Sequence, residues 1–181
     1  MNPISTPTPA SRTECPLLVV FADLTRFMLD ARRVEPHRLA DLIDHYYERV
    51  ADAVAGAGGH LLKFMGDGAL AVFAEPHVDA AVLALLQLKQ DVDAWLHGLG
   101  WDSRLYVRAH FGPVIAGPYG GQGAKRFDVI GETVNVAARL DARGFALSAQ
   151  AFRKLSPALR RRFKKHTPPI LYIPLEHRRP A

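Results

Sequence analysis

Cysteine is nearly missing from these 181 residues: Cys15 is the single one. A disulfide framework, a multi-thiolate zinc site and an iron–sulfur cluster are thereby excluded, and a reducing compartment is expected. No apolar run approaches the ~20 residues that a membrane-crossing helix needs. The opening MNPISTPTPASRTECP has no basic start followed by an apolar stretch, so it does not read as a secretory leader. A soluble, cytoplasmic protein with no membrane partner is the expectation. Ready-made catalytic signatures are also missing. The eight histidines form no H-E-x-x-H and no H-x-x-x-H ladder, and no serine sits in a G-x-S-x-G setting. GGQGAK lacks the Gly-Lys-Ser/Thr ending of a phosphate-cradling loop, and Cys15 has no base beside it in sequence.

What is present is ordinary globular material, 49% apolar and 23% charged, enough for one domain with a sizeable core. The formal charge of +5 is unevenly distributed. Residues 151–181 hold nine of the 23 Lys and Arg and one acid, Glu176, which leaves 14 bases and 17 acids in residues 1–150. The basic excess sits mainly on RRRFKK (160–165), either a solvated face or a seat for a polyanion such as a triphosphate or RNA.

The chain pattern predicts the element order. Residues 1–16, rich in Pro, Ser and Thr, read as a disordered tail, and residues 17–181 as one domain. LLVVFA (17–22) is apolar on both faces, as a central strand requires. Pro36 suits a first helical turn, and Leu39, Leu42, Ile43, Tyr46, Tyr47, Val50 and Val54 then recur at helical spacing. Asp67-Gly68 between HLLKFMG and ALAVFA signals a hairpin. Beyond Pro76, Val78, Ala81, Val82, Leu85, Leu88, Val92, Trp95 and Leu99 mark a second long helix. RLYVRAHF (104–111) alternates as a strand, and 112–123, with five glycines, reads as a short strand and a mobile loop. FDVIG reads as a strand, GETVNVAARLDA as a short helix, 149–160 as a helix and PILYIP as a last strand. The order β-α-β-β-α-β predicts an α+β fold: a ferredoxin-like core with extra C-terminal strands and helices.

Several side chains stand out against this frame. Asp23 ends the first strand and Asp67 tips the hairpin. If those strands are neighbours, both carboxylates emerge at one sheet edge, a hard-oxygen pair suited to Mg²⁺ or Mn²⁺ held together with phosphates. Taken singly, Asp67 reads first as a turn residue and Asp23 as a helix cap. Leu24-Thr25-Arg26-Phe27 leaves a strand and can present free N–H groups to an anion. Lys63, between LL and FM, needs a partner or faces outward, and Asp128 in FDVIG has the same context. Asn135 and Arg139, four apart, share one helix face.

In order along the chain, FADLTRF, KFMGDGALAVF, RAHFGPVIAG and FDVIGETVNVAARL resemble four motifs of the class III nucleotidyl cyclase catalytic domain. These are F-x-D-x-x-x-F, K-x-x-G-D-G, G-x-x-x-G-x-V-x-x-G and a stretch ending V-N-x-A-x-R-L. The resemblance spans about residues 17–155 and implies an adenylate cyclase that turns ATP into 3′,5′-cyclic AMP and pyrophosphate. It implies a head-to-tail homodimer with shared sites. Asp23, Asp67 and the carbonyl of Leu24 would hold two Mg²⁺ or Mn²⁺ ions, and the N–H groups of Thr25, Arg26 and Phe27 would hold the triphosphate. From the partner domain, Lys63 and Asp128 would read adenine, Asn135 would orient the ribose and Arg139 would meet charge at the α-phosphate. A cyclase for guanine or a pyrimidine, and a non-catalytic nucleotide-binding domain, are the alternatives. RNA binding would want exposed aromatics on central strands, where this chain has acids and a lysine. The family's late L-K-G-x-x-x-P-x-x-x-Y-x-V hairpin is reduced here to FKKHTPPILYIPL, so only Lys164 or Lys165 can be nominated for its phosphate-binding lysine.

Overall fold

The computed structural model describes residues 11–141 and 144–175. Strand β1 (Thr13–Thr25) leads through the short helix α1 (Phe27–Ala31) to helix α2 (Pro36–Gly56). The hairpin β2 (His60–Met65) and β3 (Gly68–Ala74), helix α3 (Val78–Gly98) and strand β4 (Arg104–Tyr119) complete the core. Strand β5 (Arg126–Ile130), helix α4 (Glu132–Arg139), strand β6 (Phe145–Ser148), helices α5 (Ala149–Lys154) and α6 (Pro157–Arg160), and strands β7 (Phe163–His166) and β8 (Leu171–Pro174) follow. The sheet runs β2-β3-β1-β4-β6-β8-β7, with β5 paired to β4. Its first four strands have the ferredoxin-like order expected of βαββαβ, each antiparallel to its neighbours.

Helices α2 and α3 form where their apolar spacing requires. Glu35 caps α2 by accepting from the N–H groups of His37 and Arg38, and Pro36 needs no donor in the first turn. Tyr46, Val50 and Val54 of α2 and Val82, Leu85, Val92 and Leu96 of α3 are buried against Leu18, Val20, Phe73 and Val107 of the sheet. The α3 face closes on Leu96, with Trp95 partly buried against the same core and Leu99 outside it. Trp95 turns to α2, edge-on to His45, and Leu99 is exposed. Asp93 accepts from the N–H of Leu105, and Lys89 bonds the Leu105 carbonyl, so α3 pins the start of β4.

Three further expectations are corrected. Strand β1 starts at Thr13, inside the segment read as a tail; residues 1–10 lie outside the described residues. Pro16 stands opposite Pro113 in the β1–β4 ladder, so the two missing N–H groups fall together. Strand β4 runs unbroken through Gly112 to Tyr119, where a separate short strand and a loop were expected, because its second half pairs with both β1 and β5. The helix expected over 149–160 is two helices, since Ser156 caps a new one with Pro157 in its first turn. Strands β6 and β7 had no expectation at all.

The β4–β5 arm folds across the sheet face opposite α2 and α3. There Val114, Ala116, Val129 and Ala137 bury Val19, Leu70 and Val72 in a second, smaller core. Helix α4 closes it: Thr133 donates to the Pro113 carbonyl at 2.6 Å. The backbone approach is so close that a methyl group on Gly112 would lie 2.6 Å from the Thr133 hydroxyl. On the same face His110 is buried and bonds the Ser148 hydroxyl at 2.8 Å, and burial pulls its pKa below the usual 6.5.

Candidate active site

The β1–β3 register puts Asp23 directly opposite Gly68, with an Asp23 carboxylate oxygen 3.4 Å from where a Gly68 Cβ would stand. Asp67 precedes Gly68 in the hairpin turn. That turn consists of Gly66 and Asp67, since Met65 pairs with Gly68, so it lies one residue earlier than the Asp-Gly reading places it. Gly66 takes the left-handed φ of 64°, which a two-residue hairpin with glycine at its first central position requires. Asp67 is left with an ordinary backbone and a side chain free to face Asp23's end of the sheet. Tyr47 of α2 secures the turn: its hydroxyl donates to the Gly66 carbonyl at 2.6 Å, and its ring stacks on Phe64 at 3.7 Å.

Negative charge accumulates at this corner. Burial pushes the Asp67 carboxyl above its usual 3.8 and the Asp23 charge adds to that, while a bond to its own backbone N–H offsets part. The Tyr46 phenol, buried with no hydrogen-bond partner among the described residues, is pushed up by burial and then by both carboxylate charges. Two carboxylates in this setting fit a hard divalent cation that takes its other ligands from carbonyl, water and phosphate oxygens. Among the described residues no cluster of three or more His, Cys, Asp or Glu forms a self-sufficient metal cage.

Leu24 extends one residue past the β1–β3 ladder with its side chain in the main core, so only its backbone can serve the corner. Thr25 ends β1, its hydroxyl 3.3 Å from both the carbonyl and the N–H of Arg104. Arg26 turns the chain with φ 56°, a left-handed conformation that strains a side-chain-bearing residue, and Phe27 begins the five-residue α1. The buried Asp30 anchors that helix by accepting from the N–H groups of Asp102 and Ser103 and from the Ser103 hydroxyl.

Lys63 and Asp128, 65 positions apart, form an ion pair. A register shift between Leu61 and Lys63 re-aims β2, and the fold-over of β5 brings Asp128 across the sheet to meet it. Asn135 and Arg139 lie exposed on one side of α4, the Asn135 amide 3.5 Å from Glu132. Lys164 and Lys165 are exposed on β7, the far edge of the sheet. Four strand spacings, about 19 Å, separate them from β1. Sequence reasoning passed over one neighbour of Asp23: Arg108 of β4, whose Nη2 stands 3.4 Å from Asp23 Oδ2.

The sequence model of the family described as the adenylate and guanylate cyclase catalytic domain matches residues 10–167. An adenylate cyclase of Streptomyces coelicolor is 36% identical over 124 residues, 68% of this chain and 29% of the relative. The chain thus spans less than a third of that relative's length. Among solved structures, a bacterial light-regulated adenylyl cyclase superposes with TM-score 0.80 at 21% identity, over 93% of this chain and 54% of that one. The guanylyl cyclase Cya2 superposes with TM-score 0.76 at 19% identity, over 89% of this chain and 92% of that one. At these identities the likeness is one of fold, shared by adenylyl and guanylyl enzymes alike.

Proposed function

Since the chain belongs to the adenylate and guanylate cyclase catalytic domain family, we propose that it is an adenylate cyclase, converting ATP to 3′,5′-cyclic AMP and pyrophosphate. The observation that carries the choice of base is the Lys63–Asp128 pair. An ammonium beside a carboxylate matches the adenine edge, where ring N1 accepts and the N6 amine donates. Guanine presents N1–H and O6 instead, and would want an acceptor where Lys63 stands. Adenine must replace the ion pair's mutual contact with two charge-assisted bonds, so the exchange is nearly even for the right base and a loss for the wrong one.

In this reading Asp23 and Asp67 hold the metal, joined by the Leu24 carbonyl. Mg²⁺ or Mn²⁺ bound there supplies the Lewis acidity that makes a 3′-hydroxyl nucleophilic and neutralises departing pyrophosphate. The N–H groups of Thr25, Arg26 and Phe27 face the triphosphate. Asn135 orients the ribose, and Arg139 meets negative charge as the 3′-oxygen closes in line on the α-phosphorus. Two chains, head to tail, would each contribute the carboxylates to one site and Lys63, Asp128, Asn135 and Arg139 to the other.

The test is an incubation of purified protein with Mn²⁺ and each of ATP, GTP, CTP and UTP, with products identified by mass spectrometry. Cyclic AMP as the main product is the expected result. Lys63→Glu should cut ATP turnover by about ten- to a hundredfold, the cost of one or two mismatched buried polar groups. Cyclic GMP or a cyclic pyrimidine as the main wild-type product would overturn the choice of base; no product from any of the four would overturn catalysis.

A further inference from the structure

We propose that Arg108 is a positioning residue for the metal carboxylate Asp23, a resident cation that holds it before a divalent ion arrives and weakens the grip on that ion afterwards. The proposal rests on the metal-site reading above. Arg108 stands on β4 opposite Phe21, on the same sheet face as Asp23, with its side chain 23% exposed. It occupies the first glycine position of the motif G-x-x-x-G-x-V-x-x-G, which here reads RAHFGPVIAG. A permanent charge has therefore been set where the pattern has no side chain.

Its donors are unevenly engaged. Nη1 donates to the Ala138 carbonyl at 2.8 Å, near the end of α4, where the helix dipole favours a cation. Nη2 reaches Asp23 Oδ2 only at 3.4 Å. Nε is buried with no partner among the described residues. The guanidinium is thus clamped on the helix and merely leans on the carboxylate. Such an arrangement releases Asp23 readily, yet leaves a positive charge beside it that cannot move away. A divalent ion binding Asp23 meets that charge as a repulsion, partly screened at a half-exposed site. An arginine serving only to brace the sheet against α4 gives the opposite expectation, because its loss would loosen Asp23 and weaken metal binding.

The experiment is a titration with Mn²⁺ alone, no nucleotide, reading free Mn²⁺ by electron paramagnetic resonance. Wild type, Asp23→Asn, Arg108→Gln, Arg108→Gly and Arg108→Lys are compared. Removing an opposing charge at a partly exposed pair should tighten Mn²⁺ binding by up to about fivefold in Arg108→Gln. Arg108→Gly, which restores the motif residue, should do the same and serves if the glutamine variant fails to fold. Arg108→Lys keeps the charge and should stay within about twofold of wild type. Unchanged or weaker binding in the folded neutral variants overturns the proposal while leaving the metal site intact. A wild type whose Mn²⁺ binding does not depend on Asp23 removes the metal-site reading itself, and the proposal with it.

Discussion

Under α2 and α3, the sheet presents Leu18, Val20, Phe73, Leu105 and Val107, each at most 1% exposed. The opposite face has Val19 and Leu70 in a small core, but also Asp23, Lys63, Arg108 and His110. One set of strands thus supports a closed apolar layer on one side and a charged, partly open one on the other. Strand alternation makes this possible: in β1, Ala22 and Leu24 enter the main core while Asp23 between them faces the other way. Stability and chemistry are separated by the thickness of a sheet, so substitutions on the two faces should fail in different ways.

The sharpest test of that separation uses the charged face. Asp23→Asn and Arg139→Ala should each reduce cyclase activity to background while leaving the thermal melt close to wild type. Mixed in equal amounts under subunit exchange, they should recover roughly a quarter of wild-type activity. Half of the random pairs are mixed, and each mixed pair collects both lesions in one site. The test is decisive because Arg108 ties Asp23's surroundings to α4 within one chain. Exchange without rescue would mean that the carboxylates and Arg139 of a single chain work together.

On the apolar face, Leu85→Ala should lower the unfolding free energy by about 2–5 kcal/mol, measured by urea denaturation. Any fall in activity should then follow the fraction unfolded. An activity loss in fully folded Leu85→Ala would break the comparison.

The smallest effect concerns Asp67, where the charged face lowers stability. Its carboxyl is raised above the ordinary value, so the unfolded chain loses that proton first as pH rises. The favourable contribution is complete below the unfolded pKa near 3.8 and is lost as pH climbs through the raised folded value. Without divalent cations, Asp67→Asn should therefore be slightly more stable than wild type at pH 7 and indistinguishable from it near pH 3. Paired urea titrations at the two pH values measure this. A variant less stable at pH 7 would mean that the charge supports the fold.

The apolar face was readable because helical spacing is local information: α2, α3 and the first strand are written in runs such as LLVVFA. The charged face was readable only at motif positions, Asp23, Asp67, Lys63, Asp128, Asn135 and Arg139. What escaped was non-local or short. Arg108 sits in an alternating strand pattern like any outward side chain, and nothing nearby announces Asp23, 85 positions away. Tyr47 was counted as one more apolar helix position, yet its hydroxyl holds the turn bearing Asp67. The turn itself was read one residue late because Gly66-Asp67-Gly68 offers two glycines and only pairing selects the first. Strands β6 and β7, four residues each, are too short to show a period, and β4 was cut short because glycine-rich sequence masks a strand paired on both edges.

The contact between Gly112 and Thr133 has a consequence for descent. The threonine hydroxyl fills the space that any side chain at position 112 would claim, and it bonds the next carbonyl along, that of Pro113. The two positions, 21 apart, therefore share one small volume and cannot drift independently. A lineage that gains alanine at 112 must shrink or re-aim the residue at 133, and with it shift the helix bearing Asn135 and Arg139. Among relatives the pair should be inherited as a unit, glycine with threonine, and a replacement at one place should be accompanied by a compensating replacement at the other.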